Sequence, residues 1–252
     1  MINGIISAVK DCGKIILSAR ACQDDIEEKN GTANFVTKYD KEVQELLYEK
    51  LLALLPEAHF VGEEEENHHS IDRGYSYIVD PIDGTTNFIK DLKYSAISVG
   101  LLKDGKPYIG VVYNPYLDEL FYAEKGKGAF LNGKLIKAST LPLEEGIVIF
   151  GTSPYYRELS ELTFDYARKL FNLSLDLRRS GSAALDLCSI ASGRAEVFFE
   201  MKLSPWDYAA AAVIIEEAGG FISTLSKEAI CFNKPCSILA GGPLAYNQVP
   251  QQ

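Results

Sequence analysis

The chain has little of what builds zinc or disulfide chemistry. Its five cysteines, Cys12, Cys22, Cys188, Cys231 and Cys236, form no CxxC pair. An odd count without a secretory signal reads as reduced thiols, and buried inert thiols are expected in preference to a zinc site. Histidine is scarce too: His59, His68 and His69 lie in or beside one glutamate-rich loop, where surface positions are expected. Positive charge is short, with 25 Lys and Arg against 35 Asp and Glu, a net charge of −10. Such a surface does not steer nucleic acid or an anionic membrane towards itself. The tyrosines show no pattern suited to stacking single-stranded bases. Lys10, Asp11 and Lys14 interrupt the apolar residues of the opening stretch, which lacks a charged n-region, so it reads as neither signal peptide nor spanning helix. A cytoplasmic protein is expected. Linkers, repeats and low-complexity stretches are likewise missing.

What is present is an ordinary globular balance, 47% hydrophobic residues over 252 positions, enough for one large domain or two small ones. Apolar residues at helical spacing predict a helix over residues 2–22. A second is predicted from Asp40 to Leu55, with Asp40 as a candidate N-cap and Pro56 after its end. Between them "DDIEEKNGTANF" reads as a polar loop. From Tyr75 the period changes: "YSYIVD", "YSAISVGLL", "PYIGVVYN" and "ELFYAE" read as an antiparallel meander, with hairpin signals at Asp104-Gly105 and Asn132-Gly133. After about residue 140 strands and helices alternate, which implies an α/β layer. The long helix over "WDYAAAAVIIEEAGG" closes on Gly219-Gly220. The expected boundary falls near residue 138, giving an α+β half over 1–138 and an α/β half over 139–252.

The run "YIVDPIDGTTNF" carries the chemistry. Asp80 ends an apolar strand, where a carboxylate is expected at an exposed edge, and Pro81 stiffens the turn so that Asp80 and Asp83 can point into one space. Two carboxylates that close repel unless a cation lies between them. Hard oxygen donors suit Mg²⁺ or Mn²⁺. The following Gly84-Thr85-Thr86-Asn87 offers small residues and backbone N–H groups; a helix starting there would present an anion site. A metal beside an anion site amounts to a place for phosphate. Taken alone, an Asp-Gly pair is merely a turn, Glu63 within "GEEEEN" a solvated loop residue, and Asp207 in "SPWDYAA" a helix cap. Spacing alone does not bring them to Asp80.

The pieces "GEE" at 62–64, "DPIDGTTNF" at 80–88, "GSAALDLCSIASGRAEVFFE" at 181–200 and "PWDYAAAAVIIEEAGG" at 205–220 together resemble the inositol monophosphatase family of Mg²⁺-dependent phosphatases, over nearly the whole chain. The resemblance implies a layered α-β-α-β-α sandwich, with an antiparallel sheet in the first half and a mixed sheet in the second. It implies two or three Mg²⁺ ions per site, Mn²⁺ being an alternative. Glu63, Asp80 and the Ile82 carbonyl would hold the first metal; Asp80, Asp83 and Asp207 would hold the second. The N–H groups of Gly84 and Thr85 would hold phosphate, Thr85 and Glu63 would orient and deprotonate water, and Asp40 would support Thr85. Gly181, Ser182, Ala183 and Glu200 would border the substrate, alongside Asp83 and Asp207. Glu200, seven residues before Asp207, matches a sugar-hydroxyl-binding glutamate of inositol monophosphatases and favours a phosphorylated polyol. Fructose 1,6-bisphosphate and 3′-phosphoadenosine 5′-phosphate are the rival substrates. A regulatory role beside the transcription machinery is the rival of another class. The family also implies a homodimer and inhibition by lithium.

Overall fold

Apolar spacing shapes the first helical layer. The computed structural model describes residues 1–19, 26–28, 35–65 and 70–251. In α1 (Ile2–Ser18), Ile5, Val9, Cys12 and Ile16 bury one face; the helix stops four residues before the expected end. β1 (Ile26–Glu28) pairs antiparallel with β2 (Phe35–Thr37), where a plain loop was expected. The remainder of "DDIEEKNGTANF", with Lys29 and Asn34, lies outside the described residues, as do Cys22, His68 and His69.

α2 (Lys38–Leu54) corrects the expected cap. Thr37 takes the cap position in extended backbone, its hydroxyl accepting from the Tyr39 and Asp40 N–H groups. Asp40 sits at the third helical position and accepts from the Thr37 N–H at 2.8 Å. The pair forms a capping box, which satisfies two orphan donors and leaves Asp40 buried.

The first sheet runs β3 (His59–Gly62), β4 (Tyr75–Asp83), then, after α3 (Thr85–Ile89), β5 (Ala96–Lys103), β6 (Lys106–Asn114), β7 (Glu119–Glu124), β8 (Ala129–Leu131) and β9 (Lys134–Ile136), neighbours in that order. It is not purely antiparallel as expected: β3 pairs parallel to β4, the two strands lying side by side and running in the same direction. Four residues show no alternation, so this strand was invisible to periodicity. The two hairpins turn where expected, with Asp104, Gly105, Asn132 and Gly133 all at positive φ, the geometry of a type I′ turn.

The second sheet is mixed, as expected. β10 (Ile147–Phe150) lies between β11 (Asp176–Arg178) and β12 (Val197–Leu203), parallel to both. Beyond β12 the order continues with β14 (Cys236–Gly241) and β13 (Phe221–Ser223), both pairings antiparallel. α4 (Ser160–Phe171) and α7 (Pro243–Gln248) cover its outer face through Tyr166, Leu170, Ala245 and Tyr246. α5 (Ala183–Ala191) and α6 (Pro205–Glu217) fill the space between the sheets. The layers are therefore α-β-α-β-α.

α6 is apolar nearly all round, as a central helix must be; Tyr208 through Ile215 are all buried. Its alanines let it lie very close to the first sheet. A Cβ at Gly110 would stand 2.0 Å from the Ala210 carbonyl oxygen, and one at Gly100 would stand 3.0 Å from Ala209. Gly219 follows the helix at φ 81°, the C′ role expected of it. This tight seating places the first turn of α6, and so Asp207, beside the end of β4.

Candidate metal and phosphate site

At Asp80 the strand does not end; it bulges. β4 pairs with β5 up to Asp80–Ser98, skips, and resumes at Asp83–Ala96. Pro81 cannot donate to the ladder, and a bulge is where a sheet tolerates it. The Ile82 N–H turns back to Asp80 Oδ1 at 3.0 Å. Asp80 is thus buried, 2% exposed, and not at an open edge as expected. The bulge aims both carboxylates to one side. Gly84 follows in left-handed backbone, φ 86°, and caps α3, whose Thr85 hydroxyl donates to the Ile82 carbonyl at 3.2 Å.

Asp207 joins them from the far half of the chain. One carboxylate oxygen from each of Asp80, Asp83 and Asp207 lies within 4.8 Å of the others. Like Asp40, Asp207 is not its helix's N-cap but the third residue of a capping box, with Ser204 at the cap and its N–H 2.7 Å from Asp207 Oδ2. Asp83 is held by the start of α5: the Ser182 hydroxyl and the Ala184 N–H, at 3.0 Å, both donate to Oδ2. Gly84 nearly touches the same segment, for a Cβ there would lie 3.1 Å from the Gly181 carbonyl. Gly181, Ser182 and Ala183 therefore border the cluster. Glu63, half-buried just past β3, contributes its charge to Asp80 and Asp207.

Glu200 lies within β12 and is buried, not at a strand end on the surface. Its Oε1 accepts from the Ser153 N–H at 2.7 Å. Sequence reasoning missed Ser153, because nothing in the neighbouring residues shows what its N–H touches. It also missed Asp186, a buried carboxyl on α5 that accepts from the Ser180 and Tyr94 hydroxyls and so steadies the approach to Gly181. Nothing local distinguishes Asp186 from any other helical aspartate.

The electrostatics of the group are severe. Burial, then the charges of Glu63, Asp83, Asp207 and Asp40, push Asp80 well above the usual carboxylate range. Burial lifts Asp83 to about 6 against the opposing hydrogen bonds from Ser182, Ala184 and Ala183. Burial and the charges of Asp83 and Glu63 raise Asp207. Glu200 rises to about 7, again chiefly from burial, with the Ser153 N–H and Arg179 pulling it down. Carboxylates so arranged cannot all ionise near neutral pH without a counter-charge. A set made wholly of hard oxygen donors fits a divalent cation of the Mg²⁺ kind. Cys12 and Cys188 are buried free thiols as expected, but Cys231 and Cys236 are only half-buried; His59 is exposed. Among the described residues no helix is long and apolar enough to cross a membrane.

Known proteins resemble this chain in sequence and in fold. The model of the inositol monophosphatase family matches residues 1–251. Inositol monophosphatase 2 of Solanum lycopersicum is 40% identical over 86% of this chain and 84% of its own length. The Nus factor SuhB of Escherichia coli K12 is 36% identical over 88% and 84%. Among solved structures, the extragenic suppressor protein suhB of Bartonella henselae superposes with a TM-score of 0.91 at 31% identity, covering 98% of this chain and 96% of that one. SaIMPase-II with inositol monophosphate bound gives 0.83 at 30%, covering 98% and 91%. The chain belongs to the inositol monophosphatase family and is a phosphoric monoester hydrolase.

Proposed function

We propose that this protein hydrolyses inositol monophosphate, or a similar polyol phosphate, with Mg²⁺. The observation that carries the reading is the meeting of Asp80, Asp83 and Asp207 within 4.8 Å, on two elements more than 120 positions apart in sequence. Glu63, Asp80 and the Ile82 carbonyl would hold one Mg²⁺, and Asp80, Asp83 and Asp207 a second; a third, weaker ion would bind near Glu63. When bound, such ions supply Lewis acidity, a water of lowered pKa, and charge to offset the phosphate.

The rest falls to the chain's own groups. Gly84 and Thr85 offer backbone N–H groups to the phosphate. Thr85, its hydroxyl already turned to the Ile82 carbonyl, orients the attacking water together with Glu63, which accepts its proton. Asp40, fixed by Thr37 at the start of α2, would support Thr85. Gly181, Ser182 and Ala183 border the substrate, and Ser182 also holds Asp83 in place. Glu200 accepts hydrogen bonds from adjacent polyol hydroxyls. The carboxylates, left to themselves, would repel a phosphate.

A phosphate-release assay with and without Mg²⁺ tests the metal. A comparison of kcat/KM for inositol 1-phosphate, fructose 1,6-bisphosphate and 3′-phosphoadenosine 5′-phosphate tests the substrate. The first should lead; if it came last, the polyol assignment would be wrong. Lithium inhibition belongs to the same reading. So does a homodimer, which exposed Phe164, Phe171 and Leu175 support, at 57%, 53% and 67% exposure; sedimentation decides it. A regulatory role in transcription is the second reading, favoured by the 36% identity to a Nus factor. Co-purification with RNA polymerase would support it.

A further inference from the structure

Asn87, the third residue of α3, is buried at 3% exposure and takes no part in the proposed reaction itself. Its side-chain amide makes two long-range bonds. Nδ2 donates to the Tyr94 carbonyl at 2.8 Å and to the Ser180 carbonyl at 3.0 Å, the second across 93 positions of sequence. An NH₂ group carries two hydrogens, and both are engaged. Gly181 is pressed against the same amide. A Cβ there would lie 3.1 Å from both Asn87 Nδ2 and Oδ1, and the residue adopts φ 96°, a conformation open to glycine.

Tyr94 and Ser180 are gripped a second time by their hydroxyls, both of which donate to Asp186 Oδ1. One buried side chain thus takes the two carbonyls and another takes the two hydroxyls. Gly84 packs onto the same pair of segments: a Cβ on it would stand 3.1 Å from the Gly181 carbonyl and 3.2 Å from that of Tyr94. α3 has only five residues, too few to hold a direction by its own hydrogen bonds, so these contacts place it.

The chain of contacts leads to the carboxylate cluster. Ser182, two positions past Ser180, donates its hydroxyl to Asp83 Oδ2. It can do so only while the backbone at 180–182 keeps its place, and Asn87 holds the carbonyl at the head of that stretch.

We propose that Asn87 is a positioning residue for the metal site: its amide holds residues 180–182 where the Ser182 hydroxyl can fix Asp83, and so sets the affinity of the site for its divalent cation. The inference rests on the metal reading of Asp80, Asp83 and Asp207. Groups that orient a ligand from behind typically govern about 10–100-fold in metal affinity.

The test is calorimetry of Mn²⁺ added to metal-free wild type, Asn87→Ala, Ser182→Ala and the double variant. Each single substitution should weaken Mn²⁺ about tenfold or more. Both act on Asp83 through one path, so the double variant should bind no more weakly than the worse of the two singles. Losses that multiply would overturn the path. Asn87→Ala also strips a donor from two carbonyls, so its thermal midpoint in chelator should fall. A merely structural residue would show that fall with wild-type Mn²⁺ affinity, and this result overturns the proposal. Should Asn87→Ala fail to fold, Asn87→Ser keeps a donor on a shorter arm; weakened Mn²⁺ supports the assignment and wild-type affinity rejects it. Asp80→Asn separates the two readings. If it binds Mn²⁺ as wild type does, the metal reading has failed and the role of Asn87 with it. If it loses Mn²⁺ while Asn87→Ala does not, the role of Asn87 alone has failed.

Discussion

The Ser182 hydroxyl donates to Asp83 Oδ2 across 99 positions of sequence, tying the bulged end of β4 to the first turn of α5. With the Ala184 N–H on the same oxygen, it fixes one carboxylate of the proposed metal site. Ser182→Ala removes a hydrogen bond to a charged group, about 1.5–3 kcal/mol. The Mg²⁺ concentration giving half-maximal phosphate release should therefore rise roughly tenfold or more, while turnover at saturating Mg²⁺ stays near wild type. An unchanged Mg²⁺ titration would remove Ser182 from the site.

Asp80 is the residue common to both proposed metal positions. Asp80→Asn should cut turnover by orders of magnitude at any Mg²⁺ concentration. The fold should persist, because the substitution takes a charge out of a crowded, buried cluster. In chelator its thermal midpoint should match or exceed that of wild type. Near-normal activity at saturating Mg²⁺ would refute the role.

The pH dependence of stability follows from Asp83. Its carboxyl sits at about 6 in the fold against an ordinary 3.8. Between those values the folded state holds more protons than the unfolded chain, so stability falls as pH rises through the window. In chelator the thermal midpoint should decline from about pH 4 to about pH 6. Added Mg²⁺ should raise the midpoint, increasingly so at higher pH, since protons no longer compete for the ligands. A chelated protein that gained stability with pH across this window would contradict the assignment.

Glu200, lifted to about 7, titrates where assays are run. Below that pH its carboxyl is protonated and accepts fewer hydrogen bonds, so KM for inositol 1-phosphate should increase as pH drops from 8 to 6. Glu200→Gln should flatten this trend and show a raised KM at every pH. If wild type and variant share one KM profile, Glu200 does not touch the polyol.

Packing of α6 on the first sheet is tested away from the chemistry. Gly110→Ala drives a Cβ to 2.0 Å from a backbone oxygen that cannot swing aside. Overpacking of this kind typically costs about 1–3 kcal/mol. Urea unfolding should report that loss. The Mg²⁺ requirement should rise too, because α6 carries Asp207.

Much of this was legible before the structure. The periods of 3.6 and 2 located both long N-terminal helices and the meander, and the Asp-Gly and Asn-Gly pairs located its turns. What escaped were features without a local signal. β3 has four residues and no alternation. Asp40 was expected as the cap because aspartate caps well; the backbone instead gives that place to Thr37, three residues earlier. Asp80 was expected at an open edge because the strand seemed to stop at Pro81. In fact a bulge absorbed the proline and the strand went on, which buried the carboxylate.

Composition, period and motif settle the longer elements, the family and the identity of the acidic residues, because these depend on local conformational preference and on the types of side chain present. Where the acids stand relative to one another is another matter. Asp207 reaches Asp80 only because glycines in β5 and β6 leave space for the alanines of α6. Asp83 is aimed only because a serine 99 positions later donates to it. Such distances arise from close packing between remote segments, and no short stretch of chain contains them.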